Sequence, residues 1–164
     1  LRRREHWLRR QAADDASLSG VLLDHAEQGS RVALTTVAGR RHVGRVRGAG
    51  AEVVVLEVGG TRVLVAIDAV ATVQASGDGE RPAVRPVGHR VGGDPTRLAD
   101  LLSHEVADRP DVTLVTRGGN VVVGSLESVG RDVVLVRPAD RSPMVYAPLS
   151  SISEASLPLA TRSG

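Results

Sequence analysis

The chain has 164 residues, a net charge of +2 and 41% apolar residues, nearly all of them Val, Leu and Ala. It contains no Cys, which excludes disulfides, thiolate catalysis and zinc–cysteine sites. No apolar run nears the roughly 18 residues that span a bilayer, and no signal-peptide core follows the N-terminal arginines, so a cytoplasmic protein is expected.

Every basic residue is Arg, which together with the Val bias reads as the coding bias of a GC-rich bacterial genome. The charge is uneven. Residues 1–17 carry five Arg against three acids, and residues 31–73 carry six against three. Residues 111–155 carry four Arg against five acids. An uneven basic surface can mark an acidic or nucleic-acid partner, although a solvated Arg-rich face has the same composition.

Residues 1–16 have helix-forming composition, with Trp7 and Leu8 as a thin apolar stripe. Arg2, Arg3 and Arg4 are candidate phosphate contacts. Leu18, Val21, Leu22 and His25 follow helical spacing, with Ser17 as cap and Gly29 as stop. Strands are expected at 32–36, 41–47, 52–58, 61–67 and 71–74, with an interior glycine, Gly44, bending the second.

The same series then recurs. Residues 31–58 align without a gap on 111–138 with nine identities, including Gly39 on Gly119, Gly44 on Gly124 and Gly50 on Gly130. The second helix is expected over 95–107, capped by Asp94 with Pro95 in its first turn. Its strands are expected at 112–117, 121–127, 132–137, 144–147 and 152–155, with a two-residue insertion in the hairpin 138–143. Internal repetition fixes architecture before any single element does. The pattern predicts a mainly β chain of two tandem five-stranded barrels, each preceded by a short helix. The divisions are a basic arm (1–17), a first barrel (18–74), a Gly/Pro-rich linker (75–94), a second barrel (95–155) and a tail (156–164). The third and fourth strands are apolar on both faces, so their outer faces should be covered by another barrel.

The helix, the pattern apolar-x-apolar-x-Thr-x-x-Gly at 32–39, the bent strand around Gly44 and the short last strand resemble the Sm-like fold of bacterial and archaeal RNA-binding proteins. That resemblance covers about residues 18–74 and 96–155. It implies barrels that join edge to edge through their terminal strands. The nucleotide-gripping residues of that family have no counterpart here, because Val55-Leu56-Glu57 and Ala66-Ile67-Asp68 stand at its two motifs. The segment GRRHVGRV also resembles the PRC-barrel signature, a group with protein partners in RNA processing or at membranes.

No chemistry of catalysis stands out. Five His are scattered, and Asp100, His104 and Asp108 share only a helical face. No nucleophile elbow or phosphate-binding glycine loop is present, so no catalytic residue, metal or cofactor is expected. Arg40, Arg41, Arg45 and Arg47 are the strongest candidates, with Arg41, Arg45 and Arg47 on one strand face. No aromatic residues interleave them for base stacking. The expectation is a non-catalytic assembly or adaptor module that binds a protein partner or itself. The alternative is an RNA-binding module using the Arg stripe. Neither a membrane nor a small-molecule substrate is implied.

Overall fold

The computed structural model describes residues 2–76 and 97–159. The linker segment PAVRP, His89, the Asp94 cap, Pro95 and the last residues of the tail lie outside the described residues. Helix α1 (Arg2–Asp14) leads to α2 (Leu18–Gln28), then strands β1 (Arg31–Thr36), β2 (Arg41–Ala49), β3 (Val53–Val58), β4 (Thr61–Ala66) and β5 (Val70–Ala75). The second half has α3 (Leu98–Glu105), β6 (Asp111–Thr116), β7 (Val121–Val129), β8 (Val133–Pro138), β9 (Val145–Pro148) and β10 (Ile152–Pro158). Short 3-10 turns precede β5, β6 and β10. Among the described residues no helix is long and apolar enough to cross a membrane.

Local chemistry explains the boundaries. The Ser17 hydroxyl accepts from the Gly20 amide, and Gly29 adopts the left-handed conformation that closes α2. Helix α3 differs from expectation, because Arg97 stands at its N-cap without a side-chain cap bond. In the β1–β2 hairpin the Thr36 Oγ1 accepts from the Arg40 amide, and Gly39 takes φ 82°. In the β6–β7 hairpin Thr116 Oγ1 accepts from the Asn120 amide, and Gly119 takes φ 91°. The recurring Thr-x-x-Gly is therefore a turn device, in which the hydroxyl satisfies a hairpin amide and glycine supplies the positive φ.

Gly44 and Gly124 mark the closest approaches of the neighbouring strand. A Cβ on Gly44 would lie 2.3 Å from the Glu57 carbonyl oxygen, and one on Gly124 would lie 2.0 Å from that of Arg137. The next strand passes too close for any side chain, so only glycine fits.

All ten strands belong to one antiparallel sheet in the order β5-β1-β2-β3-β4-β10-β6-β7-β8-β9. Within each half the pairing is the same. Leu34 faces Val73 as Leu114 faces Ala155, and Val55 faces Leu64 as Leu135 faces Tyr146. Even the bulges repeat, at Val46/Gly48 and at Leu126/Ser128. The expected closed barrels are not what forms: the sheet stays open. The edge of β4 is taken by β10 of the other half, where a closed barrel would pair it with β5.

The interior follows. Leu22, Val32, Leu34, Val46, Val54, Leu56, Val63 and Val65 form one buried cluster. Leu98, Leu102, Val112, Leu114, Leu126 and Val134 belong to a second. Ile67 and Leu149, at the ends of their strands, are only half-buried. The tail reading of 156–158 is corrected: Ser156, Leu157 and Pro158 extend β10 and face Val63, Arg62 and Thr61. Leu157 is 1% exposed, so burial holds this segment in the sheet.

Leu34 and Leu114 are both fully buried. Changing either to Ala should cost about 2–5 kcal/mol through lost transfer energy and a residual cavity. Chemical denaturation of the two variants measures this, and an unchanged midpoint in both would contradict the packing described.

Candidate functional site

Arg41, Arg45 and Arg47 are all exposed on β2, as alternation predicts. Strand pairing sets Arg45 between Arg31 of β1 and Glu57 of β3. Arg31, Arg45, Arg47 and Glu57 line one shallow cleft over Gly44 and Gly59. Arg47 donates to Glu57, and this hydrogen bond holds the Glu57 carboxyl below its ordinary value while raising that of Arg47. Sequence reasoning missed Arg31, which the hairpin register, centred on Ala38 rather than between Ala38 and Gly39, sets opposite Arg45. Arg40 does not join this face; its guanidinium turns toward Glu154. Arg2, Arg3 and Arg4 lie on α1, whose described side chains are all exposed.

The second half carries the row with its charges exchanged. Arg31 corresponds to Asp111, Arg47 to Glu127 and Glu57 to Arg137. Arg137 donates to Glu127 as Arg47 donates to Glu57, and lowers the Glu127 carboxyl in the same way. The bridge is conserved in geometry and reversed in sign. The arginine row of β2 is therefore not repeated on β7.

The second candidate surface is the seam between halves. Along it β4 and β10 pair from Val65 opposite Glu154 to Thr61 opposite Pro158. Val53 and Leu64, on the outer faces of β3 and β4, are buried in the cluster of the second half. Covering each contributes about 1.5–3 kcal/mol, an upper estimate. The outer faces of β3 and β4 are thus covered within the chain, by the second half of an open sheet and not by the closed barrel expected.

Ion pairs frame the seam. Arg62 of β4 pairs with Glu105 of α3, and Asp68 pairs with Arg117 at 2.5 Å. Glu154 of β10 is fully buried, with His42 Nε2 2.6 Å from its Oε2 and Arg40 Nε 3.7 Å from its Oε1. A cleft of about 400 Å³ opens beside the seam, lined by Glu52, Asp68, Arg97 and Arg131 among others.

At the two ends of the sheet the corresponding edges have no neighbour among the described residues: β9 pairs there with β8 alone, and β5 with β1 alone. After the two-residue insertion, Tyr146 occupies on β9 the position that Leu64 has on β4. Leu64 is buried, whereas Tyr146 is 68% exposed. Val37, the counterpart of Arg117, is 51% exposed. Val121 and Val123 are also exposed, on the outer face of β7.

Among the described residues no group of three or more His, Asp or Glu is placed to hold a metal ion. No family model matches the chain, and comparison with curated proteins returns no match.

Proposed function

We propose that this chain is a non-catalytic assembly module, a tandem pair of Sm-like units whose copies join head to tail. The β9 edge of one copy pairs with the β5 edge of the next and repeats the β4–β10 seam. The strand order 5-1-2-3-4 in each half, with a glycine-bent second strand, supports the Sm-like reading. The observation that carries the assembly reading is the contrast between Leu64 and Tyr146. At the internal seam this position is buried in the neighbouring half, and at the free edge a larger aromatic side chain stands in solvent. An open strand edge offers unpaired amides and carbonyls, and adding a strand satisfies them. Aromatic residues at the centre of such contacts tend to dominate their energetics.

Transferring the register of the internal seam sets Tyr146 opposite Val73 of the next copy. Val145 then faces Gln74, and Ala147 faces Thr72. Repetition of this contact gives a ring where the rotation closes and a filament where it does not.

Sedimentation velocity over a concentration series tests this. The protein should associate with rising concentration. Tyr146→Asp, at an exposed position, should leave the melting temperature unchanged and hold the chain as a monomer. A wild-type chain that stays monomeric throughout the micromolar range contradicts the proposal.

A second reading, RNA binding, is favoured by one observation: Arg31, Arg45 and Arg47 share a cleft with a single carboxylate. Phosphate contacts of this kind weaken steeply with salt. Salt-sensitive RNA binding lost in the triple change Arg31→Ser, Arg45→Ser and Arg47→Ser supports this reading; binding that survives the change removes it.

A further inference from the structure

The internal seam and the free edges share a backbone plan but differ in every charged pair. Among the described residues four acid–base contacts cross the internal seam: Arg62 with Glu105, Asp68 with Arg117, Arg97 with Glu52, and Glu154 with Arg40 and His42. The repeat assigns a counterpart to each. Arg62 and Glu105 become Met144 and His25. Asp68 and Arg117 become Ser150 and Val37. Glu154 becomes Thr72, and the His42 and Arg40 that receive it become Val122 and Asn120. Arg97 and Glu52 become Ser17 and Asp132, so this pair keeps its acid and stands outside the contrast; at the other free-edge positions no acid remains, and no Arg.

From this contrast we infer that Glu154, His42 and Arg40, with the two flanking ion pairs, form a specificity key that allows first halves to pair only with second halves. The inference rests on the head-to-tail assembly proposed above and names what determines its order. Two wrong pairings compete with the internal seam, each by taking one of its two edges, β10 or β4. If β9 met β10 of another copy, second half against second half, Glu154 would be buried against Val122 and Asn120 with no cation. Glu105 and Arg117 would face Met144 and Ser150. If β4 met β5 of another copy, first half against first half, His42 and Arg40 would face Thr72 without a carboxylate. Arg62 would face His25, and Asp68 would face Val37.

Glu154 is the strongest element because its carboxylate is wholly buried. A buried charge with a partner is tolerable, and the same charge without one is strongly unfavourable. The flanking pairs are partly exposed and discriminate less. Discrimination by stranding a charge in the wrong complex is a general way for a repeated interface to choose its partner. The free edges use the opposite device. Apart from Asp132 their positions carry no acid and no Arg, so they fit each other and strand Glu154 and the two flanking pairs of the internal seam.

The key should be transplantable, and that is its test. Thr72 and Asn120 are exposed in the single chain and Val122 is half-buried, so changes there need not disturb the fold. Self-association is measured by sedimentation velocity for wild type, Thr72→Glu, the pair Asn120→Arg with Val122→His, and all three together. Melting temperatures confirm that each variant is folded. Thr72→Glu should weaken association at least about tenfold, because it brings an unpaired carboxylate into the contact. The pair alone should also weaken it. The triple variant should recover most of the loss, since it recreates the internal arrangement at the free edge. An associating wild type whose affinity ignores Thr72→Glu, or a triple variant no better than the singly changed chain, overturns the key and leaves the assembly reading standing. A wild type that never associates removes both.

Discussion

The pairing of β4 with β10 is the contact on which the rest of the structure depends. A strand edge must find hydrogen-bond partners, and in a five-strand meander β4 has two routes: its own fifth strand or another chain segment. Here it takes β10, and that choice opens both halves into one sheet. The consequence reaches the core. Once β10 lies beside β4, Leu64 and Val53 are carried into the second cluster, so the two halves share apolar surface. Neither half then needs to bury both faces of β3 and β4 alone, which units of this size do poorly.

The repeat keeps backbone devices and exchanges side-chain chemistry. Thr36 and Thr116 hold the same hairpin amide, and Gly44 and Gly124 admit the same close strand. These positions answer to geometry, where substitution is hardly tolerated. The charges are freer. Arg47–Glu57 and Glu127–Arg137 are one bridge written with opposite signs. Such an exchange leaves each half satisfied while making the two halves electrostatically distinct, which a head-to-tail arrangement of unlike units requires.

Much of the local structure was legible in the sequence because its causes are local. The eighty-residue repeat, the Ser17 cap, the glycine turns and the apolar alternation place α2 and all ten strands close to where they form. The seam was not legible in the same way. Nothing within 61–66 distinguishes an edge that closes on its own fifth strand from one that pairs with β10. Ser156, Leu157 and Pro158 read as part of a tail until the β4 edge beside them is known. Arg40 looked like a member of the exposed stripe, because alternation says nothing about a buried carboxylate that arrives from more than a hundred residues away. Glu154 itself gave no signal beyond being an acid in an apolar strand, a local conflict that marks an interaction from elsewhere in the fold.

The central claim is that β9 and β5 of different copies form a second seam in the register of the first. The chain contains no cysteine, so a pair placed by design reports on one contact alone. Tyr146→Cys and Val73→Cys, carried on separate chains and mixed under mild oxidation, should form an intermolecular disulfide, because the register sets them opposite each other. Moving the second cysteine to position 74, whose side chain points to the other face, should abolish it. A disulfide at 73 but not at 74 is the predicted result; no crosslink at either position, or equal yields at both, would contradict the account.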